Sequence, residues 1–148
     1  MIKDKIKQTY MIYQKDNTYK HVVSVACMAS ELANQYDLNV EKCILASPLH
    51  GISAIKTPDD MYRIAVRRKL DIDLSEEKYH FLLHQRISKI IAQEKFKIVD
   101  QDILSAIECH TTLKKNASDY DKIVFLADKL AWDQGGIPPY YHDLKAAI

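Results

Sequence analysis

The sequence has few of the residues that interrupt regular backbone structure. Its 148 residues include only 3 Gly and 4 Pro, and such a chain favours long helices over an architecture with many tight turns. The length is typical of one domain with a real core, and 47% hydrophobic with 28% charged residues is an ordinary globular composition. We therefore predict an all-α protein with a single domain over residues 1–148.

Cysteine is also scarce, and its odd count argues against a set of structural disulfides. Cys27, Cys43 and Cys109 show no CxxC spacing, and each lies in an apolar stretch with helical periodicity. Buried free thiols are typical of proteins kept in a reducing compartment. We therefore predict that all three thiols are buried and that the protein is cytoplasmic.

Long hydrophobic runs and an excess of one charge are both missing. No apolar stretch approaches the roughly 18 residues of a membrane span, and residues 1–5 are charged, unlike a secretory signal. The net charge is +1 with neutral histidines, so no global field favours nucleic acid or an anionic membrane as a partner.

Hydrophobic periodicity and capping residues divide the chain into helices. The prediction places helices over about 3–13, 19–36, 39–50, 57–70, 75–96, 100–112 and 118–132, with 51–56 and 71–74 as non-helical segments. Residues 135–139 are a firm stop, and residues 140–148 are typical of the start of a helix that the chain does not complete. We therefore expect a C-terminal helical extension to be missing.

Five metal-capable side chains fall on or beside apolar faces of five different predicted helices. A single histidine in such a place is usually an ordinary core or edge residue, but an aspartate there is costly unless it is paired or bound to a cation. Helix faces that converge in a bundle are a known way to build metal sites. The predicted ligands are His21, His50, His84, His110 and Asp128.

The types of ligand limit the metal. Imidazole and carboxylate without thiolate suit iron, manganese, zinc or cobalt, and they argue against calcium or magnesium as the only ion. The spacing excludes a zinc finger, because no Cys or His pairs lie close together. Of the remaining histidines, His142 is predicted at the surface. His80 is predicted there too, although it lies one turn before His84 and could support it.

The order of these motifs resembles the HD superfamily and, more narrowly, the YqeK-type HD domains. The resemblance covers about residues 19–139. It implies an all-helical HD-domain bundle, a centre of two metal ions (often iron), a homodimer and symmetrical cleavage of diadenosine tetraphosphate to two ADP. The segments that carry it are His21, Leu49-His50-Gly51, Leu83-His84-Gln85, Glu108-Cys109-His110-Thr111-Thr112, Leu126-Ala127-Asp128-Lys129 and the tail Trp132-Asp133-Gln134.

Carried over by position, the resemblance implies two groups of ligands. One ion would be held by His21, His50 and Asp128. The second ion would be held by His84 and His110.

The sequence departs from the family at the residue after the second histidine. The family carries there an aspartate that bridges the two ions, and Gly51 offers no ligand atom. The arginine that the family tends to carry before the first histidine is also absent, since Thr18 and Lys20 occupy that neighbourhood. We expect a weaker second site, a mononuclear centre or no metal centre, and impaired catalysis.

Basic and hydroxyl side chains near these motifs are candidates for binding the phosphate chain of a nucleotide. Two of them follow directly on the segment that contains the fourth predicted histidine ligand. The candidates are Lys20, Arg86, Thr111, Lys114 and Lys115.

Gly51 leaves three interpretations open: a naturally degenerate member, an engineered inactive variant, or an active enzyme in which water or a neighbouring carboxylate substitutes. Three functions also stay open. The first is a metal-dependent nucleotide phosphohydrolase. The second is a catalytically inactive module that binds nucleotide or regulates. The third is a structural interaction domain with core histidines and no metal.

Overall fold

A computed structural model describes residues 1–131 and 138–148. These residues form nine α-helices and two short 3₁₀ turns with no strand among them, which confirms the all-α prediction. The helices are α1 (Ile2–Ile12), α2 (Asp16–Gln35), α3 (Val40–His50), α4 (Pro58–Arg67), α5 (Leu74–Lys78), α6 (His84–Phe96), α7 (Gln101–Glu108), α8 (Asp119–Leu130) and α9 (Tyr141–Ala147). The 3₁₀ turns are Ile52–Ile55 and His80–Leu83.

Four helices begin at side-chain caps that the sequence predicts. These caps stabilise the helix starts because they satisfy backbone N–H groups that have no partner within the helix. Each cap accepts a hydrogen bond from a backbone N–H two or three residues ahead. The caps are Asn39 for α3, Thr57 for α4, Asp100 for α7 and Ser118 for α8.

The predicted helix over 75–96 is wrong as a single element. Asp73 and Glu76 form a reciprocal capping box, so α5 begins at Leu74, inside the predicted loop. The chain then breaks, and the guanidinium of Arg86 in α6 donates to the Glu76 carboxylate at 2.8 and 3.0 Å. This ion pair links α5 to α6, and the break places His84 at the first position of α6.

The predicted helix over 100–112 is too long. The helix α7 ends at Glu108, and His110 therefore lies in the loop that follows. The Gln85 side chain accepts hydrogen bonds from the backbone N–H groups of Thr111 and Thr112, which diverts these groups from helical pairing. A smaller difference occurs at residues 51–56, where a 3₁₀ turn occupies part of the predicted non-helical segment.

The C-terminal predictions are only partly covered by the described residues. The helix predicted over 118–132 is present as α8, which ends at Leu130. Most of the predicted stop and the Trp132-Asp133-Gln134 tail lie outside the described residues. A short helix, α9, follows where the start of a helix is predicted, and the missing C-terminal extension stays a prediction.

The helix α3 occupies the centre of the fold, where it packs against α1, α2, α6, α7 and α8. One apolar cluster fills the space among α1, α3, α4, α6 and α7, and a second lies between α2, α8 and the start of α3. Full burial of a Leu, Ile or Val side chain contributes about 1.5–3 kcal/mol. The two clusters therefore fix the positions of α2, α3, α6, α7 and α8 relative to one another.

The cysteine prediction holds for two residues and is wrong for one. Cys43 and Cys109 are buried, and burial raises the pKa of each thiol to about 11. Cys27 is exposed, because it lies on the outward face of α2 while its neighbours Val25 and Ala29 face the core. In the part of the chain that the structure describes, no helix has the length and apolar character to cross a bilayer.

Candidate metal centre

The five predicted ligands come together in one cluster, although they belong to five separate segments. His50 is the last residue of α3, His84 the first of α6, and His110 follows the end of α7. The ring of His50 lies with its centroid 4.6 Å from that of His110, which in turn lies 5.2 Å from that of His84. His21 of α2 and Asp128 of α8 complete the cluster on its other side.

Three of these side chains form a possible three-residue metal site. The ligand atoms of His21, His50 and Asp128 all lie within 4.8 Å of one another. The Nε2 atoms of His21 and His50 lie 3.0 and 3.2 Å from the same oxygen, Oδ1 of Asp128. His84 and His110 flank this triad rather than belong to it.

The same kind of hydrogen bond fixes the orientation of three of the four histidine rings. The Nδ1 atom of each ring contacts the backbone carbonyl three residues earlier, as in His84 with Phe81 at 2.9 Å and His110 with Ile107 at 2.8 Å. His50 makes the same contact with Ser47. A carbonyl can only accept, so Nδ1 carries the proton, and the neutral ring presents the lone pair of Nε2 to the cluster.

This arrangement fits a cation. With its proton on Nδ1, a neutral His50 directs a lone pair at the Asp128 carboxylate oxygen, and two acceptors at 3.2 Å repel each other. A proton or a metal ion between them removes the repulsion. A metal ion would satisfy His21, His50 and Asp128 at once, and imidazole with carboxylate is a donor set for transition metals.

The charge state of the cluster also favours a bound cation. Burial alone would raise the pKa of the Asp128 carboxyl. When a proton rather than a metal ion lies between the groups, the His21 and His50 rings donate hydrogen bonds that hold this pKa well below its usual range. Burial, reinforced by the nearby His50, lowers the pKa of His110 to about 3, and burial also lowers the pKa of His84. At neutral pH the cluster therefore contains the Asp128 carboxylate near the neutral imidazoles of His84 and His110.

Comparison with known proteins identifies the fold. The HD domain family matches residues 18–133. The chain belongs to the HD family. This confirms the resemblance drawn from the five motifs.

Relatives and one solved structure support this assignment. The chain is 34% identical over 142 residues to the "uncharacterized protein in pepC 5'region" of Lactococcus lactis subsp. cremoris, covering 96% of this chain and 72% of that protein. It is 32% identical over 132 residues to a symmetrical bis(5'-nucleosyl)-tetraphosphatase of Halalkalibacterium halodurans, covering 86% and 68%. The crystal structure of a predicted HD superfamily hydrolase involved in NAD metabolism from Clostridium acetobutylicum superposes with a TM-score of 0.88 at 28% identity, covering 97% of this chain and 75% of that one.

In this HD protein, Gly51 follows His50 at the end of α3 and has an ordinary backbone φ of −98°. The backbone therefore does not require glycine. A Cβ atom added there would lie 3.0 Å from Cγ1 of Val22, 3.4 Å from the Tyr10 hydroxyl and 3.7 Å from Cγ2 of Thr18. The space that a side chain would enter is thus nearly filled by its neighbours, chiefly by Val22.

The predicted phosphate-binding residues do not all lie at the histidine cluster. The Thr111 hydroxyl is within 2.9 Å of the His84 Nε2 atom and donates to it, because the proton of that ring is on Nδ1. Arg86 is instead bound to Glu76. The sequence could not show that acidic partner, because it belongs to a different helix.

The three predicted lysines lie at the surface. Lys114 contacts the Ser105 hydroxyl, with its ammonium 3.9 Å from the buried Asp121 carboxylate. Lys20 and Lys115 are exposed to solvent. Their role in binding phosphate stays a prediction.

The two remaining histidines differ in their surroundings. His142 is exposed, as predicted. His80 does not support His84, because its ring stacks on Tyr62 at 4.2 Å and its Nδ1 atom lies 3.1 Å from the Asp59 carboxylate.

Sequence reasoning missed two residues beside His84. The Phe81 ring stacks on the His84 ring with centroids 4.6 Å apart and an angle of 7° between the planes. Gln85 binds the loop after His110. Their position, three residues before and one residue after a predicted ligand, is a signal that the sequence offers, and Gln85 also belongs to the Leu83-His84-Gln85 segment that carries the resemblance.

Proposed function

We propose that this HD protein is a metal-dependent nucleotide phosphohydrolase that cleaves dinucleoside polyphosphates symmetrically, with diadenosine tetraphosphate as the first substrate to test. The observation that carries the proposal is the triad in which His21 and His50 direct imidazole nitrogens at one oxygen of Asp128. The substrate class comes from the relatives named symmetrical bis(5'-nucleosyl)-tetraphosphatase.

The triad would hold the metal ion. Iron is our first expectation from the family resemblance, and manganese, cobalt and zinc suit the same donors. A bound ion of this kind supplies Lewis acidity for phosphoryl oxygens and lowers the pKa of water to near neutrality.

Other groups of the chain would orient the histidine rings and limit the access of water to the cluster. The carbonyls of Ser47 and Ile107 keep the rings of His50 and His110 turned toward the cluster, so little reorganisation is needed when a ligand binds. His110 is 4% exposed, so it closes the inner side of the cluster to bulk water. Thr111 offers a hydroxyl at the outer side, on the loop that also carries Lys114.

One ion fits this chain better than two. Gly51 provides no carboxylate to offset the charge of a second cation next to the first. The Nε2 atom of His84, a predicted ligand of the second ion, already accepts a hydrogen bond from Thr111. We therefore expect one tightly held ion at His21, His50 and Asp128, with His84 and His110 beside it on the side where substrate would bind.

The test combines metal analysis with a turnover assay. We expect the purified protein to contain about one transition metal ion per chain and to convert diadenosine tetraphosphate to ADP. His50→Asn should reduce both metal content and turnover, by at least about 100-fold for turnover, because a direct ligand matters at least as much as its supporting groups. The exposed His142→Asn is the matched control and should leave both unchanged. Equal turnover by His50→Asn and the wild type would contradict the proposal.

Gly51 specifically favours a second candidate, a catalytically inactive HD module that binds nucleotide. That candidate predicts metal and binding of diadenosine tetraphosphate without formation of ADP. A structural interaction domain would contain no metal and bind no nucleotide. The predicted homodimer is tested separately by sedimentation of the purified protein.

A further inference from the structure

Gln85 binds the loop that follows His110 through three hydrogen bonds. Its Oε1 atom accepts from the backbone N–H groups of Thr111 at 2.7 Å and of Thr112 at 3.2 Å. Its Nε2 atom donates to the Thr112 hydroxyl at 3.0 Å. One residue earlier on the same helix, His84 accepts a hydrogen bond from the Thr111 hydroxyl. Adjacent side chains of α6 thus bind adjacent residues of the loop.

Packing does little to fix this loop. Residues 111–116 are all exposed, and the backbone there forms no regular helix. A segment of this kind has low local stability unless specific hydrogen bonds hold it. Gln85 satisfies two consecutive backbone N–H groups, so its side chain largely determines the conformation at Thr111 and Thr112.

We propose that Gln85 is a positioning residue, which holds the loop so that the Thr111 hydroxyl meets His84 beside the histidine cluster. The inference rests on the proposed function, because the ligand it would position is the polyphosphate chain of a nucleotide. Gln85 acts through the loop and does not itself need to touch the reacting atoms.

Two substitutions of Gln85 distinguish the effect of its hydrogen bonds from the effect of its size and packing. Gln85→Ala removes all three bonds. Gln85→Glu keeps them, because a carboxylate accepts from both N–H groups and the Thr112 hydroxyl can rotate to donate to it. The control is Gln101→Ala, since the Gln101 amide donates to the nearby Val99 carbonyl at an exposed site away from the loop.

The first measurement is steady-state hydrolysis of diadenosine tetraphosphate by the metal-loaded protein. Gln85→Ala should raise KM about tenfold with kcat changed less than about threefold, since misplacing one or two neutral hydrogen bonds to substrate has roughly that effect. Gln85→Glu should recover most of the lost affinity, and Gln101→Ala should match the wild type. An unchanged KM in Gln85→Ala, or a Gln85→Glu variant as impaired as Gln85→Ala, would overturn the inference.

The second measurement does not depend on activity. The ¹⁵N chemical shift of the His84 Nε2 atom reports its hydrogen bond with Thr111, and Gln85→Ala should move it in the same direction as Thr111→Val. An unmoved signal in Gln85→Ala would show that Gln85 does not position Thr111. If the wild type hydrolyses no dinucleoside polyphosphate, the proposed function fails, and the NMR comparison alone decides the positioning role.

Discussion

Asp128 is the residue on which the candidate metal centre depends most. It is the single carboxylate in the triad of described metal-capable residues, and two imidazole nitrogens face one of its oxygens. Replacing it by asparagine preserves the shape of the side chain but removes the negative charge that a cation requires. The change therefore separates the electrostatic role of the residue from its packing.

We expect Asp128→Asn to lower the metal content of the purified protein by at least about tenfold with little change in helical signal. Elemental analysis and circular dichroism measure the two quantities. Asp143→Asn, on the exposed side of α9, is the control and should retain the metal. Unchanged metal content in Asp128→Asn would remove this residue from the site.

Gly51 allows a test of the missing carboxylate, provided that its neighbours are considered. A Cβ atom at this position would lie 3.0 Å from Val22, so Gly51→Asp alone should cost about 1–3 kcal/mol of unfolding free energy by overpacking. Adding Val22→Ala makes room for the carboxylate. We expect the double variant to bind a second metal ion and to hydrolyse diadenosine tetraphosphate faster than Val22→Ala alone. If it gains neither metal nor activity, residue 51 is not the position of the bridging ligand.

At the scale of the helices, local signals predicted where elements begin better than where they end. Thr57 and Ser118 cap α4 and α8 as the sequence predicts, because a cap depends on residues only two or three positions away. The helices predicted over 75–96 and 100–112 were wrong because contacts outside the local pattern decide where they break or end. Glu76 with Arg86, and Gln85 with Thr111, are contacts that periodicity along one helix cannot show.

The cap of α7 offers a test of how strongly this helix, which leads to His110, is held. Asp100 accepts hydrogen bonds from two backbone N–H groups and lies 3.3 Å from the Lys42 ammonium. Asp100→Ala should therefore lower the free energy of unfolding by about 1–2 kcal/mol in urea titrations. Asp102→Ala keeps the cap and loses a partly exposed ion pair with Lys42, so its cost should stay below about 1 kcal/mol. Equal costs for the two variants would contradict this assignment.

At the scale of the whole molecule, the clustering of the five predicted ligands could be anticipated from sequence because each is a polar residue on or beside an apolar face of a predicted helix. Their convergence follows from the fold, since α3, α6 and α7 surround one core and carry His50, His84 and His110 at their ends. Candidates for binding phosphate were harder to choose because a surface lysine or arginine has no such pattern. Arg86, for example, is bound to Glu76.

Burial of histidine should also make the stability of the chelator-treated protein depend on pH. The folded-state pKa of His110 is about 3, against an ordinary value of 6.5. Between these values the unfolded chain binds a proton that the folded chain does not, so stability is complete above about pH 6.5 and falls as the pH is lowered. The lowered pKa of His84 acts in the same direction.

We expect the burial of His110 to make the free energy of unfolding fall by up to about 1.4 kcal/mol per pH unit between pH 6 and pH 4. Urea titrations across this range measure the slope. In His110→Gln the slope should be shallower, because the glutamine takes up no proton in the unfolded chain. A wild-type stability that stays constant or rises on acidification would exclude a buried neutral His110.

The most direct test of the metal centre is an anomalous difference map from crystals of the protein grown with Mn²⁺ or Zn²⁺, recorded at the absorption edge of the metal. The account predicts a peak about 2.0–2.3 Å from the Nε2 atoms of His21 and His50 and from the Asp128 carboxylate. A fully metal-loaded crystal with no peak among these three side chains would contradict it.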